Sequence, residues 1–241
     1  MKQENWYDVD SLRQGDFSMS TAFPALMRKV FVWMALALAI TGLTAFGVAT
    51  SPTLVAAIFG SKVMFWGLII AEFALVFAIS GAINKLSLST ATLLFILYSV
   101  VNGATLSVIF FAFSTAVITK TFLVTAATFG AMALVGYTTK TDLTSMGKIL
   151  FMALIGIIIA SVVNMFMHSS GFDLIISYVG VLIFVGLTAY DTQKIKQMCL
   201  MAPDAGESAQ KLALLGALSL YLDFINLFLY LLRIFGNSSK E

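Results

Sequence analysis

Residues 219–236 read SLYLDFINLFLYLLRIFG, a run long and apolar enough to lie in a membrane, yet it carries Asp223 within it, with Asn226, Tyr230 and Arg233 following. Ser219, Asp223, Asn226, Tyr230 and Arg233 are spaced 4, 3, 4 and 3 residues apart, which sets them on one face of a helix. Between Lys211 and Arg233 lie 21 residues, of which Asp223 is the twelfth, so the carboxylate falls near mid-membrane. A charge at that depth costs about 2.5–3.5 kcal/mol on insertion scales, so the polar stripe must face protein or a wet cavity. The last helix is therefore expected at the centre of a bundle.

The rest of the chain supplies that bundle. Hydrophobic residues make up 60% of the 241 and charged residues 11%, far from the balance of a soluble domain. The uncharged stretches repeatedly match the roughly 20 residues a helix needs to cross about 30 Å of hydrocarbon. They predict an all-α, polytopic membrane protein with seven spans near Val30–Thr50, Val63–Ile83, Leu88–Phe113, Thr121–Tyr137, Ile149–Met167, Leu174–Tyr190 and Leu212–Phe235. Residues 1–22 are polar with no sustained period and read as a cytoplasmic tail, leaving 23–241 as one transmembrane domain. The mixed charge of that leader, with no cleavage site after it, argues against a signal peptide.

Basic residues orient the spans. With the N-terminus inside, Lys2, Arg13, Arg28, Lys29, Lys85, Lys140, Lys148, Lys194, Lys196 and Lys211 are cytoplasmic, against Lys62, Lys120, Arg233 and Lys240 outside. That asymmetry favours a cytoplasmic N-terminus. The net charge of +2 is small and scattered, so nucleic acid is not an expected partner. A lone Cys199 forms no internal disulfide, and no Cys/His spacing suggests zinc or haem. No phosphate loop, nucleophile elbow or HExxH occurs, and no resident cofactor is expected.

Two further acids extend the argument. Asp191, in VGLTAYDTQKIK, falls at the end of the sixth span near the side from which the seventh starts. Twelve residues, about 18 Å of helix, separate Lys211 from Asp223, so the two aspartates meet only if a helix tilts or the sixth span sits deeper. If they meet in a dry site they cannot both ionise cheaply, and the pair titrates as a unit. The plain alternative for Asp191 is a solvated ion pair with Lys194 and Lys196. Glu72, tenth of the 22 residues between Lys62 and Lys85, is also at mid-depth. It could line the same polar interior and, with Asp191 and Asp223, hold a passing Ca²⁺ through carboxylate oxygens. Asn102 and Asn164 are expected as interhelical bonds, His168 as a headgroup-level residue, and Gly156 with Ala160 as a site of close helix contact. GYTTK and AYDTQK form a short echo after the fourth and sixth spans.

VGLTAYDTQKIK followed by LSLYLDFINLFLYLLRIFG, together with YTTKTDL and FMALIGIIIAS, closely resembles the Bax inhibitor family of small membrane proteins in a bacterial inner-membrane form. The resemblance runs from Arg28 to Gly236. It implies seven helices with the last enclosed by the other six, and a pH-sensitive calcium leak governed by an aspartate pair that maps to Asp191 and Asp223. In family members an acid at the position of Glu72 is followed eleven residues on by an arginine that ties down the first aspartate. Here that position is Ile83, and the nearest base is Lys85. Eukaryotic relatives are linked to suppression of cell death and some bacterial ones to a membrane protease.

Three functions follow as expectations. The leading one is a leak for cations, with Ca²⁺ the expected ion, through a polar core gated by Asp191 and Asp223, with Glu72 and Asn226 along the pathway. A second is a non-conducting regulator that binds another membrane protein such as a protease or a stress-response partner. The third, an intramembrane aspartyl protease, is disfavoured: YL stands before Asp223 where those enzymes place GxG, and the only PAL, Pro24–Leu26, precedes the first span. The chain is thus expected not to be an enzyme, with the lipid bilayer and Ca²⁺ or protons as its partners.

Overall fold

The computed structural model describes residues 6–238, with side chains from 22 to 236. Among these, helices run α1 (Trp6–Ala49), α2 (Pro52–Phe59), α3 (Lys62–Ala82), α4 (Leu88–Leu106), α5 (Ile109–Ala112), α6 (Thr115–Thr138), α7 (Thr144–Met167), α8 (Ser170–Leu200) and α9 (Glu207–Ser238). Seven segments are long and apolar enough to cross a membrane: Ala22–Ala49, Lys62–Ala82, Leu88–Ala112, Thr115–Thr138, Thr144–Met167, Ser170–Leu200 and Glu207–Gly236. All seven expected spans are present. The first begins where the polar leader ends; the backbone of residues 6–21 continues α1, while residues 1–5 and the leader's side chains lie outside the described residues.

Serine starts most of the helices. Ser51, Ser61, Ser87, Ser114 and Ser169 have extended backbones, and each hydroxyl accepts from the N–H three residues on, satisfying a donor the helix leaves open. At the other end of α7, His168 takes the left-handed conformation (φ 51°) and closes the helix through its N–H to the Asn164 carbonyl. Asn164 Oδ1 accepts from Ser169 N at 3.2 Å, so this asparagine shapes the turn rather than bridging helices as expected. Gly156 also departs from expectation, since nothing packs where its Cβ would be. The close approaches fall instead at Gly136 against the Ala189 backbone and at Gly103 against the Thr41 backbone.

Burial orders the spans. That of α9 is 61% buried, whereas those of α3 and α7 are each 6% buried and turn Phe73, Phe77, Phe151 and Phe166 outward, as lipid contact requires. The principal neighbours of α9 are α8, α1, α6 and α4; α3 leans mainly on α4, and α7 mainly on α8. Four of the six other spans therefore supply the wrapping of the last helix, short of the six that the resemblance implies. Where α7 stands off, a cleft opens beside α9.

Ties at the α8–α9 turn hold this end together. Glu207 accepts from Leu88 N at 3.0 Å and pairs with Lys211 at 3.1 Å, and Lys29 Nζ donates to Gln210 at 2.8 Å. At the far end Arg233 meets Asp173 at 3.5 Å and lies over the Tyr230 ring.

Candidate functional site: an acidic cleft along the last helix

The two aspartates share this cleft, a cavity of about 860 Å³ bounded by α7, α8 and α9. Its α9 wall is the polar stripe read from the sequence: Ser219, Asp223, Asn226 and Tyr230. The α8 wall carries Leu187, Tyr190, Asp191 and Lys194, and α7 contributes Gly147 and Lys148.

Helix register explains the meeting. Ile195 sits against Gly216, and Gly180 against Tyr230, in an antiparallel hairpin. The same register sets Asp223 across from Leu187 and Asp191 across from Ser219, so the acids stand about one helical turn, roughly 5 Å, apart along the axis. They are close enough to interact electrostatically. The depth mismatch expected from the sequence disappears because α8 continues to Leu200 and carries Asp191 well inside the helix.

Asp223 is 4% exposed, and its Oδ2 has no hydrogen-bond partner among the described residues. Leaving such an atom unpaired costs on the order of 1–3 kcal/mol, more if charged. Asn226 spends its amide on the Leu222 carbonyl at 2.8 Å, which leaves its own oxygen available to the cleft. Asp191 is half-buried, with Lys194 as its nearby charge.

The clamp beside Asp191 comes from Gln193, which sequence reading did not single out, and from Lys196, which it expected only as an ion-pair partner of Asp191. Gln193 accepts from Leu143 N and donates to the Thr141 carbonyl, both at 2.8 Å, while Lys196 donates to the Tyr137 carbonyl at 2.7 Å and covers the Tyr137 ring. AYDTQK thus grips the YTTKTDL turn, and the echo between the two motifs marks two surfaces that meet. Lys196 is committed to Tyr137, so the simple ion pair between Asp191 and both lysines does not form.

Glu72 is placed elsewhere. It lies beside Asn102 and Thr105 on α4, and its Oε1 is unpartnered among the described residues. Asn102 belongs to a buried polar chain: Tyr221 Oη lies 2.9 Å from Asn102 Oδ1 and 2.7 Å from Thr41 Oγ1, and Thr41 Oγ1 lies 3.0 Å from the Ser99 carbonyl, so the two hydroxyl hydrogens serve two of these three contacts at a time. Tyr221 is two residues from Asp223 and so leaves α9 on the opposite face. The expected single polar interior is therefore two separate ones. Among the described residues no three acidic, His or Cys side chains converge on a metal, so Asp191, Asp223 and Glu72 do not form a joint Ca²⁺ site. The latch position Ile83 is buried in the core and Lys85 is exposed; the bases bordering the acid cleft are Lys148 and Lys194.

Fold and site define a polytopic helical membrane protein built around a buried acid on its central helix. The family described as inhibitor of apoptosis-promoting Bax1 matches residues 24–240, and the chain belongs to this Bax inhibitor family. It is 51% identical over 212 residues to the inner membrane protein YbhL of Escherichia coli, covering 88% of this chain and 91% of that one. An uncharacterized protein of Borreliella burgdorferi is also 51% identical, over 89% of this chain and 93% of its own length. An uncharacterized membrane protein of Streptococcus pyogenes is 42% identical over 77% and 80% respectively. With seven apolar spans and relatives of these kinds, the protein is a multi-pass inner-membrane protein.

Proposed function

We propose that the protein is a pH-sensitive leak for cations, with Ca²⁺ as the transported ion, and that Asp191 and Asp223 form its gate. One observation carries the reading: a buried carboxylate oxygen on the central helix, without a partner among the described residues, in a cleft that a second carboxylate also lines. Carboxylate, amide and hydroxyl oxygens suit a hard cation. Lys148 and Lys194 on the rim offset the two negative charges, which suits passage rather than storage. Gain or loss of a proton changes the repulsion across the α8–α9 contact, and an equilibrium between two helix arrangements follows that change. The N-terminus is cytoplasmic in this reading, which puts the α8–α9 turn and the Asp191 end of the cleft on the same side.

The test is calcium efflux from vesicles loaded with the purified protein, between about pH 6 and pH 8. Wild-type efflux changes across that range and Asp223→Asn flattens it; a variant indistinguishable from wild type sinks the gate.

A second reading draws on the family description, which names inhibition of another protein. In it the chain regulates a membrane partner without conducting, so vesicles show no flux at any pH while the partner copurifies. Neither reading assigns the chain an enzymatic reaction.

A further inference from the structure

A second cavity, of about 250 Å³, lies on the other side of α9 from the acid cleft, among α1, the α4–α5 junction, α6 and α9. Phe110, Phe122, Phe224 and Phe228 are among its walls, and Gly42 leaves open space on the α1 side. From Leu38 to Ala45 along α1 it descends seven residues, about 10 Å of helical rise. Its lining is apolar except for threonines. Two of these, Thr115 and Thr119, also border a shallower hollow that holds Lys120, so the cavity leads to a cation with two hydroxyls beside it. Thr115 opens α6, which sets this mouth at a membrane boundary; Lys120 is held there over the Phe235 ring at 5.6 Å.

We propose that this cavity seats one acyl chain of an anionic bilayer phospholipid, with the lipid phosphate on Lys120 and the Thr115 and Thr119 hydroxyls. The chemistry divides as an amphiphile requires: an aromatic slot running toward mid-membrane, and a positive, hydroxylated mouth at headgroup level. The bilayer that covers the protein is the nearest source. Phe224 and Phe228 stand on the face of α9 away from the acid cleft, so the seated chain touches the helix that bears Asp223.

The test is native mass spectrometry of the full chain, released from detergent after incubation with phosphatidylglycerol, phosphatidylcholine or oleate. The expected result is one retained phosphatidylglycerol per chain, with weaker retention of the other two. Lys120→Gln removes one surface cation near the phosphate and lowers retention about fivefold. Gly42→Leu, whose Cβ meets open space, fills the slot and lowers retention without any change of charge, in protein whose thermal unfolding matches wild type. Lys85→Gln, exposed and away from this cavity, leaves retention unchanged. Equal retention by wild type, Lys120→Gln and Gly42→Leu, preferential retention of oleate, or no retained phosphatidylglycerol would each overturn the site. A loss in Lys85→Gln as large as in Lys120→Gln would overturn it too, by showing a diffuse charge effect. None of these readouts depends on ion flux, so the lipid site and the leak fail separately.

Discussion

Tyr221 and Asp223 are two residues apart on α9 and leave it in opposite directions, into environments that treat a polar atom differently. Tyr221 is fully buried and bonded to Thr41 and Asn102, so α9 is fastened to α1 and α4. Asp223 is almost as buried, but one of its oxygens has no partner among the described residues, and the helix across from it, α7, stands away. A satisfied network fixes a helix in one place; an unsatisfied acid beside a cleft leaves it a reason to move. The same helix thus has an anchored face and a poised one.

The strongest way to break this contrast is on the poised face. In Asp223→Asn the shape is kept and the titration removed. The pH response of calcium efflux should collapse by on the order of tenfold, the effect of about 1.4 kcal/mol on a two-state equilibrium. Efflux assays on wild type and variant at matched protein content decide it.

Steric wedges make the next comparison. A Cβ at Gly103 on α4 would lie 2.6 Å from the Thr41 carbonyl oxygen and 2.8 Å from Thr44 Cβ, both fixed parts of the anchored side. Gly103→Ala should therefore cost about 1–3 kcal/mol in reversible detergent unfolding. At Gly180 the nearest atoms to the added one belong to the Tyr230 ring, at 2.7 Å, and that ring borders the cleft, where a side chain has room to give. Gly180→Ala should cost less than about 1 kcal/mol. Equal costs would show the cleft side to be as rigid as the network side.

Removing one hydroxyl sharpens the anchored face. Tyr221→Phe leaves Asn102 Oδ1 and Thr41 short of a partner and should destabilise by about 1–2 kcal/mol. A double-mutant cycle with Thr41→Val should recover a coupling of about 0.5–1.5 kcal/mol; zero coupling would mean that the 2.7 Å contact carries no energy.

Much of this was legible in the sequence. Span number follows from length and hydropathy, which are local properties, and the polar stripe on the last helix follows from its spacing alone. The meeting of Asp191 and Asp223 was visible only as a condition, because it depends on hairpin register. That register is set by how far α8 runs before the turn, a boundary that no break in hydrophobicity marks: KIKQMCL after Asp191 is polar enough to read as a loop yet remains helical. Glu72 was misplaced for a related reason. Depth in the membrane can be counted from flanking charges, but direction around the bundle cannot, since α3 has acid and apolar residues on faces that only packing distinguishes. Gln193 was missed, and Lys196 read only as an ion-pair partner of Asp191, because their partners are the main-chain carbonyls of Tyr137 and Thr141 and the N–H of Leu143, groups without a side-chain signature. The serine caps could have been read: Ser51, Ser61, Ser87, Ser114 and Ser169 each stand just before an apolar run, which is where an N-cap belongs.

The smallest effect belongs to the far end of the stripe. Arg233 continues the 4, 3, 4, 3 spacing, and from sequence it looks like part of the buried set. Its side chain is 46% exposed, however, and its partner Asp173 is 39% exposed, with the pair at 3.5 Å. Solvent screens such a pair and the two side chains lose entropy in forming it, so Arg233→Gln should cost only about 0.2–1 kcal/mol and weaken further in high salt. Unfolding of this variant at low and high ionic strength makes the check. A loss well above 1 kcal/mol, insensitive to salt, would mean that the poised face is locked at this end, and that the freedom assigned to Asp223 is confined to the half of α9 nearest the α8 turn.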